Sequence, residues 1–330
     1  MMPSPRLVST VSLWALFASL GFGAEPIKHE FLAIDEGLSN LLYVNEANPA
    51  KNYVVSIAKP HPRDMQLEGD GKLLISHDQG YCEYDIATGK RIKDVSTFHD
   101  VSSARRLENG DLLLSGVDFD GVKQNKGDMP IGDPTGRHVQ VIEYTPEGKE
   151  VKRTSYLGDY LRLLRQTDTG TYLFALNTHF SEADMKGNYI KTFEVPGFKH
   201  AWKALRMPNG HVIMSGGYGA FMAELDADGK LVRKFGQAGT VAPEIHPYFY
   251  ALFQVMPNGH IVAANWQGHG PGHGASGRQL VEFDGDSKIV WTWSDAKVIS
   301  SIQGVLVLDG LDIGKRYDER TGTMQVLGIK

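Results

Sequence analysis

Apolar runs of four to six residues, each broken by a polar turn ending in glycine, recur from about residue 60 to residue 310. The first kind of turn reads "LEGDGKLLIS" at Gly71, "LENGDLLLS" at Gly110 and "QTDTGTYLFA" at Gly170, then "MPNGHVIMS" at Gly210, "MPNGHIVAA" at Gly259 and the shorter "LVLDGL" at Gly310. A second kind follows most of them: "YDIATGKRI", "YTPEGKEV", "LDADGKLV" and "FDGDSKIV", with "ADMKGNYI" as a degenerate copy. Asn-Gly and Asp-Gly between apolar runs are strong hairpin signals. Each unit therefore reads as strand, tight turn, strand, loop, strand, tight turn, strand.

The first-turn glycines are 39, 60, 40, 49 and 51 residues apart. A four-stranded unit of about 40 residues is the sequence form of a propeller blade. Two insertions account for the longest intervals, Val117–Arg137 and the glycine-rich Gln267–Arg278, and both fall between second and third strands. The sixth unit stops short at the C-terminus. "EFLAID", "NLLYVN" and "NYVVSI", from Glu30 to Ile57, supply three more strands at the other end. Pairing them with the last unit closes a ring and leaves no open edge. The expectation is an all-β, six-bladed β-propeller of four-stranded antiparallel blades, over 60–96, 100–156, 160–195, 199–236, 246–294, and 298–310 with 30–57. An open solenoid or β-helix would leave the N-terminal strands unexplained.

Residues 1–23 read differently: Arg6, a short apolar run, then Gly21 and Gly23. That is the pattern of a secretory signal peptide, and the run is too short for a membrane span. The expected mature chain, 24–330, is one exported domain, periplasmic or secreted, with no membrane span. Its lone Cys82 cannot form an internal disulfide and reads as a small packed residue. Formal net charge is −5, with 42% hydrophobic and 22% charged residues. This is ordinary globular composition, and a nucleic-acid partner is not expected.

In a blade, the second-to-third and blade-to-blade connections share one face, and here that face carries the insertions. Binding sites favour such a face. The segments entering each innermost strand surround the mouth of the central channel. They are "KPHPRDM" (His61, Arg63, Asp64), "FHDVSS" (His99, Asp100), "GDYLRLL" (Tyr160, Arg162), "FKHAWKA" (His200, Trp202, Lys203), "IHPYFYA" (His246, Tyr248, Tyr250) and "ISSIQG" (Ser301, Gln303). Repeat positions differing only by packing would be alike, whereas these are polar, aromatic and all different. The expected ligand is small, anionic and polyhydroxylated, a uronate-type glycan or an organic acid. Arg63, Arg162 and Lys203 would supply charge for it, Trp202, Tyr248 and Tyr250 flat surfaces, and Asp64, His99 and Gln303 polar contacts. His200, His246 or Tyr248 would serve as catalytic base in a lyase or hydrolase. His269 and His273, in "GHGPGH", could close over the ligand. A divalent metal on His61, His99, His200, His246 and Gln303 is a further option, and "DFDG" (Asp118, Asp120, Gly121) resembles the start of a calcium loop. The opposing class is a non-catalytic propeller that docks another protein on its rim.

The repeat "PNGHIV…LVEFD…KIVWTW" resembles the six-bladed propeller superfamily that includes NHL-type, TolB-like and arylsulfotransferase-type proteins, over about His29 to Gly310. The resemblance implies the architecture. "YDIATGKRI" is also similar to repeats of pyrroloquinoline quinone-dependent propellers, which carry a tryptophan motif in most of seven or eight blades. Here only "VWTW" (Trp291, Trp293) approximates it, so no quinone is expected.

Overall fold

The computed structural model describes residues 25–117, 138–158 and 160–328. The leader read at 1–23 and the Asp118–Gly121 stretch lie outside the described residues. Six four-stranded antiparallel sheets form the blades of a propeller. Blade 1 comprises Met65–Gly69, Lys72–His77, Gly80–Asp85 and Arg91–Val95. Blade 2 comprises Val101–Arg106, Leu112–Val117, His138–Tyr144 and Glu150–Leu157. The innermost strands of blades 3, 4 and 5 are Leu164–Gln166, Ala204–Arg206 and Phe249–Val255.

The turns form where their chemistry demands. Gly210 and Gly259 adopt φ of 82° and 84°, the left-handed region in which a Cβ is penalised. In the second turns a carboxylate does the folding: Asp226 Oδ1 accepts the amides of Asp228 and Lys230, and Asp284 Oδ1 those of Asp286 and Lys288. Inner strands are buried on both faces because a neighbouring blade covers each, whereas outer strands such as Tyr189–Phe193 alternate with solvent. Separate apolar clusters fill the gaps between adjacent blades. Cys82 is buried in the cluster between blades 6 and 1, and Trp291 and Trp293 both pack against Phe31 between blades 5 and 6.

The ring closes as the half-blades at the two ends of the chain require. Ile302–Val307 is the innermost strand of blade 6, and Glu30–Asp35 pairs with it antiparallel, followed by Asn40–Asn45 and Tyr53–Ser56. His29 clasps this seam. Its Nε2 lies 3.0 Å from Glu282 of blade 5, and its Nδ1 lies 2.5 Å from Asp309. Burial disfavours the imidazolium, but the two carboxylates outweigh it and raise the His29 pKa from 6.5 to about 9. A pKa raised on folding stabilises fully below the unfolded value and is lost as pH rises through the folded one. Stability should therefore fall between pH 6.5 and 9, and His29→Gln should flatten that slope in urea melts taken across the range. An unchanged slope would remove His29 from the closure.

The tail beyond Gly314, which the repeat pattern does not place, crosses the end of the channel opposite the mouth. It forms a short hairpin, Tyr317–Asp318 with Gln325–Val326. Gln66 of blade 1 donates to Tyr317 O, Arg105 of blade 2 pairs with Asp318, and Arg165 of blade 3 and Lys203 of blade 4 both pair with Glu319. One segment thus ties four inner strands together. Among the described residues no helix is long and apolar enough to cross a membrane.

Candidate functional site

A cavity of about 200 Å3 opens at the mouth of the channel. Blades 1, 3 and 4 contribute His61, Arg63, Tyr160, Arg162, His200 and Trp202 from the segments that enter their innermost strands. Gln303 comes from blade 6. The wall is completed by Tyr218, Phe249, Trp266 and His269, from blades 4 and 5. Of the residues expected from the sequence, His61, Arg63, Tyr160, Arg162, His200, Trp202, Gln303 and His269 meet here.

Four entry segments share a backbone feature. His61, Asp100, His200 and His246 all have φ between 47° and 53°, each two residues before Arg63, Ser102, Trp202 and Tyr248. Left-handed backbone is uncommon outside glycine, and histidine and aspartate tolerate it better than most. In blades 1 and 4 the turn is followed by Arg63 and Trp202 in the cavity wall, whereas Ser102 and Tyr248 do not line it.

Arg162 is half-buried and has no carboxylate within ion-pair distance among the described residues. Its guanidinium lies 4.3 Å from the centroid of Tyr160 and 5.6 Å from that of Trp202, and it donates 3.1 Å to Leu161 O. Burial, with Arg63 nearby, lowers its pKa, but a guanidinium stays charged at any ordinary pH. Arg63, by contrast, is held by Asp78 and by Val101 O, each at 2.7 Å. Burial pushes the Tyr160 phenol up to about 12 against the pull of both arginines. His200 is edge-on to Tyr160 and Tyr218, and burial followed by the charges of Arg162 and Lys199 lowers its pKa, so its imidazole is neutral at pH 7. Among the described residues, three buried polar atoms of this wall have no protein partner: Tyr160 Oη, Trp202 Nε1 and Gln303 Oε1. Unpaired buried polar groups are usually completed in folded proteins, and a water or a small ligand in the cavity would complete these three.

On one side of the mouth, Glu36 accepts hydrogen bonds from His61 Nδ1 at 3.3 Å and His269 Nδ1 at 2.9 Å. Burial would raise its pKa, but the two imidazoles hold it below the usual carboxylate value.

The structure removes several residues from the expected set. Asp64 is fully buried below the cavity, where it takes Arg165 in a two-pronged ion pair and the hydroxyl of Ser103. Lys203, expected to be a ligand contact, is 1% exposed and spans Glu319 at 2.6 Å and Phe253 O at 2.5 Å. Burial lowers its pKa to about 8, while the pull of Glu319 keeps it charged at neutral pH. Tyr250 is buried between blades 4 and 5 and donates to Gly236 O. The strand turns Phe249 to the mouth instead. His246 and Tyr248 stand on the rim outside the cavity wall, His246 tied to Gln267 at 2.8 Å. His99 is exposed and His273 lies behind His269, its Nε2 3.2 Å from His269 O. The histidines proposed as one metal set therefore do not converge.

Glu36, Tyr218, Phe249 and Trp266 were not among the expected residues. Glu36 and Tyr218 sit in second-to-third connections, Tyr218 in the glycine-rich "GGYGA". An aromatic among glycines on the insertion-bearing face was a usable signal, but Glu36 looked like an ordinary turn acid.

No protein-family model matches the chain, and no curated protein matches it by sequence. Solved structures do. A protein of unknown function from Bacteroides caccae superposes with a TM-score of 0.64 at 17% identity, over 85% of this chain and 99% of that one. A chain of a nidogen/laminin complex gives 0.52 at 10% identity, over 84% and 97%. A catalytically inactive virginiamycin B lyase from Staphylococcus aureus, in complex with quinupristin, gives 0.50 at 8% identity, over 84% and 87%. At such identities the likeness is one of fold, and what this chain shares with them is the six-bladed propeller.

Proposed function

We propose that this protein binds a single small carboxylate-bearing, polyhydroxylated molecule, a sugar acid or hydroxy acid, in the mouth of its channel. The observation that carries the reading is Arg162, a half-buried cation with no acid partner among the described residues, in a cavity with three unsatisfied buried polar atoms. The guanidinium offers paired donors to a carboxylate. Tyr160, Trp202 and Gln303 offer hydrogen bonds to hydroxyls, and Phe249, Tyr218 and Trp266 flat faces to the ring or carbon chain. The cavity is smaller than the roughly 300–1,000 Å3 of drug-sized sites, which favours one unit over a polymer. If chemistry follows, neutral His200 is placed to take a proton beside the bound carboxylate, as a lyase would require. The leader-like N-terminus makes export part of the proposal.

Calorimetry with glucuronate, galacturonate and small hydroxy acids against glucose and galactose tests it. Acids should bind and the neutral sugars should not. Equal binding of glucose and glucuronate, or no heat from any acid at millimolar concentration, would reject the reading. The docking alternative draws less support. Exposed apolar side chains such as Val54, Ile92, Val151, Ile190 and Val290 fall on outer strands of different blades, spread around the ring rather than gathered in a patch.

A further inference from the structure

We propose that Glu36, His61 and His269 form a binding site for a borderline first-row divalent ion, Zn2+ or Co2+ in type, at the edge of the mouth cavity. The three residues come from separate connections on the same face: the turn after Glu30–Asp35, the entry to Met65–Gly69, and the loop after Ile261–Trp266. One donor atom from each lies within 4.8 Å of the others.

Three features favour an ion over a plain hydrogen-bonded cluster. The first is spacing. Donors at about 2.0–2.1 Å from a tetrahedral ion are separated by roughly 3.4 Å. Both Nδ1 atoms already stand 2.9 and 3.3 Å from the same oxygen of Glu36, close to that separation, and all three donors lie within 4.8 Å of one another. The second is support behind the carboxylate. Trp266 Nε1 donates to the other oxygen of Glu36 at 3.0 Å, the kind of outer contact that orients a metal ligand. The third is rigidity between loops. A Cβ on Gly37 would stand 2.6 Å from Gly270 O and 2.8 Å from Ser300 Cβ, and Ser300 Oγ donates to Gly270 O at 2.6 Å. The turn carrying Glu36 and the loop carrying His269 are therefore pressed together, and glycine is needed at the contact.

Two imidazoles and one carboxylate suit Zn2+, Co2+ or Fe2+ better than Mg2+ or Ca2+, which prefer all-oxygen shells. Three protein ligands leave at least one position open, and two of the three, His61 and His269, line the cavity. In that role the ion would take an oxygen of the bound acid and draw off charge beside it. This role rests on the ligand reading above. The ion site itself does not.

The test is titration of the full, chelator-stripped chain with Co2+, read by its visible ligand-field absorption, followed by competition with Zn2+, Mg2+ and Ca2+. One ion per chain should bind saturably, Zn2+ should displace it, and Mg2+ and Ca2+ should not. Trp266→Phe should weaken binding by about tenfold or more. Glu36→Gln should do at least as much. His269→Ala should also abolish the band, and because that side chain is 62% exposed the fold should survive. His99→Ala is the unaffected control. Absence of a saturable band, a band that persists in His61→Ala and His269→Ala, or displacement by Mg2+ as readily as by Zn2+ would each overturn the site. Uronate binding measured in excess chelator separates the two readings: acid binding without Co2+ binding sinks only the metal site, and Co2+ binding without acid binding sinks only the ligand reading.

Discussion

Glu319→Ala is expected to lower folding stability by about 3–5 kcal/mol, the usual cost of stranding a buried charge. Lys203, 1% exposed, would lose its carboxylate partner among the described residues and be left either as an unpaired buried charge or stripped of its proton, both costly, while Arg165 would retain Asp64. The loss should be read from urea melts at pH 7. Replacing Lys203 by Met in the same chain should restore part of it, because removing both members of a buried pair costs less than removing one. The acid limb gives a second reading. Lys203 and Arg165 outweigh burial and hold Glu319 at about 2, against an ordinary 4.5. A carboxylate depressed on folding contributes stability that is present above the unfolded value and lost as pH falls toward the folded one. The parent should therefore weaken between pH 4.5 and 2 more steeply than Glu319→Ala. A variant melting within about 1 kcal/mol of the parent would mean the tail is a passive strap, since typical surface changes stay below that.

Arg162→Ala is expected to weaken carboxylate binding by about ten- to hundred-fold, from the roughly 1.5–3 kcal/mol carried by a hydrogen bond to a charged group. Stability should change little, because Arg162 holds no acid among the described residues and its guanidinium stacks on Tyr160 and Trp202 with one hydrogen bond to Leu161 O. Arg162→Lys should recover the charge without the paired geometry, and so only part of the affinity. Calorimetry with the best-binding acid, alongside melting curves, reads both quantities. Unaltered affinity in Arg162→Ala would move the carboxylate elsewhere in the mouth. Lys203→Ala serves as the contrast: it should behave like Glu319→Ala, with a large stability loss, although the sequence placed Lys203 beside Trp202 as a ligand contact.

The architecture was legible because it rests on local rules. An Asn-Gly or Asp-Gly turn between two apolar runs is a strong local hairpin signal, and the recurrence of such glycine turns from Gly71 to Gly310 counts the blades. The half-blades at the two ends announced their pairing, since an unpaired inner strand would leave an open edge. Arg162, Trp202, His200 and Gln303 were also readable, because blade entry puts equivalent positions at one mouth. Side-chain direction within that mouth was not. Tyr250 and Phe249 differ by one position, and strand alternation sends one between blades and the other to the cavity. Asp64 and Lys203 look like ligand groups until two segments, each more than a hundred residues away, supply Arg165 to the first and Glu319 to the second. Glu36 and His269 are 233 positions apart and become neighbours only because the N-terminal strands close the ring inside blade 6, beside blade 5. Turn chemistry and repeat spacing are properties of short stretches, so the chain alone determines the propeller. Which charges pair off below the mouth and which remain to meet a ligand depends on contacts between distant segments, and only the folded ring decides that.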